Sequence, residues 1–136
     1  LTLLLLDVDH FTWVCDSLGV IQGEDLLRKV AEAVRRVIRD TDVVCRWSAS
    51  ELGILADDCS LEQGLHLAET LRVLLEAEPI FNPDDGFRVT LSVGVAEADQ
   101  AETVGDLADR AAQQLDEARK AGRNQVCPVL PDELGV

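Results

Sequence analysis

Two groups of residues in this 136-residue chain have the types and spacing to do chemistry. Asp7 closes an apolar run at the start of the sequence, and carboxylates are the ligands that hard divalent cations such as Mg²⁺ take. Arg39 and Asp42 stand three residues apart after a long, apolar-striped segment. A guanidinium fork can grip a phosphate in bidentate fashion, and a carboxylate beside it can accept from N–H donors. Arg35, one helical turn before Arg39, would add to a local positive spot on an acidic protein. A plainer reading stays open, in which Arg35, Arg36 and Arg39 favour a helix C-terminus through its dipole and Asp42 is a turn residue. Arg39 and Asp42 are both expected to be exposed.

Other reactive side chains read as structural. Cys15, Cys45, Cys59 and Cys127 have no CxxC or Cys/His spacing, so no zinc site is expected. Three of the four lie in apolar or helical stretches and are expected to act as small core hydrophobes. His10 and His66 are isolated. Asp9 reads as a helix N-cap rather than a metal ligand. Trp13 and Trp47 read as core or interface aromatics.

The formal net charge is −14, from 26 acidic against 12 basic residues. Such a field repels nucleic acid and anionic membranes, so neither is an expected partner. The opening apolar run stops at Asp7, far short of a membrane span. A start directly in a hydrophobic strand suggests a piece of a longer protein, and the cysteine pattern suggests a reducing compartment, either the bacterial cytoplasm or the cytoplasmic part of a membrane-associated protein.

The elements that must position these residues follow from periodicity. Leu3 to Val8 is an apolar run closed by acidic residues, the mark of a central strand buried on both faces. Phe11, Val14 and Leu18 recur at helical spacing up to Gly19. A long helix is predicted from Gly23 to Arg39, with Leu26, Leu27, Val30, Ala33, Val34, Val37 and Ile38 on one stripe. Val43 to Trp47 and Leu52 to Ala56 read as a hairpin closed by residues 48–51. Ser60 and Gln63 form a capping-box pattern opening a helix. Pro79 to Gly86 reads as a loop, Phe87 to Ala96 as a strand, and Thr103 as the cap of a helix ended by Gly122. Residues 125–130 could add a last strand, and 131–136 read as a tail. The expected fold is α+β, a mainly antiparallel sheet with its helices on one face, in a single domain over residues 1–130.

Four segments in register resemble one family. Asp7-Val8-Asp9-His10-Phe11 resembles the D-[IV]-D-x-F that opens the GGDEF domain of bacterial diguanylate cyclases. Arg39-Asp40-Thr41-Asp42, Val89-Thr90-Leu91-Ser92-Val93-Gly94-Val95 and Ala121-Gly122-Arg123-Asn124 resemble later motifs in the same order. The resemblance implies a nucleotide-cyclase-like fold with a ferredoxin-like palm. For an intact member it implies condensation of two GTP into cyclic di-GMP by two protomers meeting face to face.

Residue by residue, the resemblance carries over unevenly. The family's first metal carboxylate is Asp7, with the Val8 carbonyl beside it. Its GGDEF hairpin aligns with Ser48-Ala49-Ser50-Glu51-Leu52, so a neutral hydroxyl at Ser50 replaces the second metal ligand. Two glycines that let the backbone approach phosphates are Ser48 and Ala49. Glu51 survives, but strand alternation points it away from the face of residue 50. The phosphate-contacting lysine is Thr12, and the guanine-reading asparagine and aspartate are Cys15 and Glu24. Arg119 replaces a second lysine, and Arg123 is retained. By contrast, Arg39 and Asp42 match the family's inhibitory product site, with Asp42 six residues before Ser48. The arginine that assists this site from the next helix is Thr70, and Arg72 lies on another face.

These features imply a domain that binds cyclic di-GMP without making it and needs no metal cofactor. Its other partners would be further domains of the same polypeptide, a signalling protein or a second copy. A weak diguanylate cyclase and a ligand-free interaction scaffold are the alternatives.

Overall fold

The computed structural model describes residues 1–77 and 88–129. The Pro79–Gly86 loop, Phe87 and the 131–136 tail lie outside the described residues. The element order is β1 (Thr2–Val8), α1 (Phe11–Leu18), α2 (Val20–Arg35), β2 (Val43–Arg46), β3 (Glu51–Ala56), α3 (Leu61–Ala77), β4 (Leu91–Glu97), α4 (Val104–Lys120) and β5 (Val126–Cys127). The sheet runs β2-β3-β1-β4-β5, antiparallel except for the β4–β5 pair. The fold is α+β and nucleotide-cyclase-like.

β1 lies at the centre of the sheet between β3 and β4, and all seven of its residues are buried. Its alternating side chains feed two separate cores. Leu4, Leu6 and Val8 pack with α2 and α3. Leu3 and Leu5 pack with Leu107, Ala111 and Leu115 of α4. The helices therefore cover both faces of the sheet, correcting the one-face arrangement expected from element order. Four consecutive leucines, Leu3 to Leu6, leave no face of the strand for water.

Gly94 lets α4 lie close. A Cβ there would sit 2.2 Å from the Leu115 backbone nitrogen and 2.4 Å from the Ala111 carbonyl oxygen. The two predicted caps form as written. The Ser60 and Gln63 side chains exchange bonds with each other's backbone N–H, and Thr103 and Asp106 do the same at α4. No helix among the described residues is long and apolar enough to cross a membrane.

Several local expectations need correction. α2 ends at Arg35, so Arg39 lies beyond the helix in a turn. Asp9 does not cap α1; His10 holds the N-cap position with φ 60°. Trp13 and Trp47 are about half exposed and belong to neither core. Of the cysteines, Cys59 and Cys127 are buried, Cys15 is partly so, and Cys45 is exposed.

Candidate functional site

The end of β1, the β2–β3 hairpin and the end of α4 enclose a cleft of about 310 Å³, lined by Asp7, Val8, Thr12, Ser50, Arg119 and Arg123. Asp7 and Glu51 are cross-strand partners in the β1–β3 register, so their side chains share a face. Arg119 reaches over from α4 and bridges them, with Nη2 2.9 Å from Asp7 Oδ2 and 3.4 Å from Glu51 Oε2. The expectation that Glu51 faces away is thus overturned. Alternation from Ser50 does not apply, because Ser50 belongs to the turn and β3 begins at Glu51.

Asp7 is 6% exposed, and its Oδ1 is buried without a hydrogen-bond partner. Burial pushes its carboxyl above the ordinary aspartate range, and the Ser50 hydroxyl and Arg119 only partly offset this. The remaining Glu51 oxygen, Oε1, accepts from Ser48 Oγ at 2.9 Å.

Glu24 is not in this cleft but faces a neighbouring one of about 480 Å³ between α2 and β2. Arg46 donates to both of its oxygens at 3.0 and 3.1 Å. The same guanidinium donates to the Ser48 and Ala49 carbonyls at 2.8 and 2.9 Å. Arg46 therefore ties the hairpin tip to α2. Nothing in the local sequence marks it, since its partner Glu24 lies 22 residues back.

Asp9 is a structural node. Its carboxylate accepts from Thr90 Oγ1 at 2.8 Å, Ser92 Oγ at 2.6 Å and the Asn124 N–H at 3.0 Å, with Arg123 at 3.9 Å. Asn124 is held in turn by Arg72 and Glu76 on α3. Arg72 is thereby committed away from Arg39, as its helix face implies. The Thr70 hydroxyl donates along its own helix, to the His66 carbonyl.

Arg39 and Asp42 do come together, in a pocket of about 230 Å³ that also holds Cys59 and Gln63. The Arg39 side chain is 54% exposed, whereas the Asp42 side chain is 2% exposed, correcting the expectation that both are open to solvent. Burial alone would raise the Asp42 carboxyl, but the hydrogen bonds and charge of Arg39 hold it below the usual range. Arg35 does not join them: with the helix ending there, it lines the α2–β2 cleft instead.

Residues 1–125 match the family described as "Diguanylate cyclase, GGDEF domain". The chain belongs to the GGDEF family. It is 32% identical over 126 residues to the diguanylate cyclase DgcP of Pseudomonas aeruginosa, covering 93% of this chain and 19% of that protein. It is 35% identical over 125 residues to the cyclic di-GMP phosphodiesterase NbdA of the same organism, covering 91% and 16%. The chain thus spans under a fifth of either relative. Among solved structures, the GGDEF domain of DgcB from Caulobacter crescentus in complex with c-di-GMP superposes with a TM-score of 0.84. That pair shares 25% identity over 92% of this chain and 75% of the other.

GGDEF chemistry takes divalent metal at Asp7 and at the third motif position, and the residues here do not fit it. Ser50 offers no charge, one oxygen each of Asp7 and Glu51 is occupied by Arg119, and the second Glu51 oxygen accepts from Ser48. Only Asp7 Oδ1 is left without a protein donor, so the cleft lacks the pair of free carboxylates that the family's metal site uses.

Proposed function

We propose that this GGDEF domain binds cyclic di-GMP at Arg39 and Asp42 and does not synthesise it. The observation that carries the reading is the contrast between two sets of arginines. Arg119 and Arg46 are paired with the carboxylates of Asp7, Glu51 and Glu24 at the positions where the family handles metal and guanine. Arg39 presents an exposed guanidinium on a buried anchor, at the family's product-binding position. Phosphoryl transfer needs cations to neutralise the triphosphate, and both candidate metal carboxylates are already paired with one of the protein's own arginines. The domain therefore needs no metal cofactor. The likeness to DgcB, solved with cyclic di-GMP, supports the choice of ligand.

In this reading the domain works in the bacterial cytoplasm as a sensor. Occupancy is passed to other domains of a longer polypeptide, to a signalling partner or to a second copy of the chain. Calorimetric titration with cyclic di-GMP tests it, alongside chromatography of an overnight reaction of GTP with Mg²⁺ or Mn²⁺. Heat of binding at micromolar ligand with no cyclic di-GMP formed is the expected result. No heat at high micromolar ligand would turn the reading to an interaction scaffold, and clear product would turn it to a cyclase.

A further inference from the structure

The Arg119 nitrogen that bridges Asp7 and Glu51 stands where a cation shared by two carboxylates would stand. Asp7 and Glu51 are directly opposed on β1 and β3, so the sheet fixes their spacing. One nitrogen, Nη2, lies 2.9 Å from the first and 3.4 Å from the second. Asp7 Oδ1 adds a buried carboxylate oxygen with no partner. A buried carboxylate stripped of its counter-ion is strongly destabilising, so this arrangement depends on some cation being present.

We propose that Arg119 is the resident cation of the cleft, and that Asp7 and Glu51 form a latent divalent-cation site that opens when its charge is removed. The second carboxylate of this site is residue 51, not residue 50 as the family alignment dictates. Oxygen donors of this kind take Mg²⁺, Ca²⁺ or Mn²⁺. The inference deepens the non-catalytic reading of the cleft and is independent of cyclic di-GMP binding, which calorimetry reports separately.

Mn²⁺ binding to the domain, followed by electron paramagnetic resonance, tests it. Wild type is expected to show only the weak background of an acidic surface. Arg119→Met is expected to bind one Mn²⁺ at least tenfold more tightly than that background. Its melting temperature should fall below wild type in chelator and recover with Mn²⁺, while wild type does not respond. Arg119→Lys keeps the charge and should gain nothing. Adding Glu51→Gln or Asp7→Asn to Arg119→Met should erase the gain. Should Arg119→Met fail to fold even with Mn²⁺, Arg119→Gln, which keeps a donor to the carboxylates, carries the same comparison. The proposal is overturned if wild type already binds Mn²⁺ in an Asp7-dependent way, if neither neutral variant gains binding, or if the gain survives Glu51→Gln.

Discussion

The Arg39 guanidinium lies over the Asp42 carboxylate, donating from Nε and Nη2 to its two oxygens at 3.3 and 3.0 Å. The Arg39 backbone N–H adds a third bond at 3.0 Å. Nη2 also donates to the Asp57 carbonyl at 2.6 Å, fixing the fork against the start of the next loop. The two residues thus divide their labour. Asp42 orients the guanidinium, and Arg39 presents it to solvent.

Arg39→Ala should therefore weaken cyclic di-GMP binding by roughly ten- to a hundredfold, the loss of one charge-assisted contact worth about 1.5–3 kcal/mol. Its melting temperature should fall as well, because the buried Asp42 carboxylate loses its counter-ion. Asp42→Ala should weaken binding similarly and also lower the melting temperature, since it removes a buried acceptor. Arg72→Ala should leave affinity unchanged, being tied to Glu69, Glu76 and Asn124 instead. Calorimetry and thermal melts on the same samples separate these outcomes.

Acid should erode the Asp42 contribution. Its folded carboxyl titrates below the unfolded one, so the stability it supplies is fully present above the ordinary aspartate range and is lost as pH falls through the folded value. The difference in unfolding free energy between wild type and Asp42→Asn should be largest near neutrality and shrink below about pH 4. Urea titrations at several pH values measure it. A difference that grows on acidification would contradict the assignment.

Gly94→Ala should be among the most damaging single-methyl additions in the chain. The new Cβ meets backbone atoms of Leu115 and Ala111 rather than movable side chains, so α4 must lift from the sheet. Overpacking of this kind costs about 1–3 kcal/mol, and rigid neighbours place this position at the upper end. Chemical denaturation reads it directly.

Asp9→Ala should cost about 3 kcal/mol or more, because it strands the buried Ser92 hydroxyl, Thr90 and the Asn124 N–H together. Asp9→Asn, which keeps an acceptor, should cost less. Denaturant midpoints for the two variants decide whether Asp9 is a scaffold residue. Equal and small losses would show that it is not.

What the sequence made legible was local. The Leu3–Val8 run and the caps at Ser60 and Thr103 each depend on a few neighbouring residues. What escaped depends on partners far along the chain. Asp9 reads as a cap from its own segment, yet its acceptor bonds go to residues 81, 83 and 115 positions away. The orientation of Glu51 needed the strand register, not the alternation rule. Helix coverage of both faces needed Leu3 and Leu5 assigned to α4 separately from Leu4 and Leu6. The end of α2 at Arg35 was hidden because Val37 and Ile38 continue the apolar stripe and still pack on the core after the helix has stopped.

The supply of two cores by alternate residues of β1 bears on how such a domain drifts. The side chains that fill the layers belong to strand interiors and helix faces, whereas Ser48, Ala49 and Ser50 sit at a hairpin tip beyond both layers. Selection on foldability therefore exerts little grip on the tip. Once a lineage no longer requires turnover, that tripeptide is free to wander by ordinary point mutation while the scaffold stays under full constraint. A preserved architecture with a rewritten tip is the pattern such unequal constraint leaves behind.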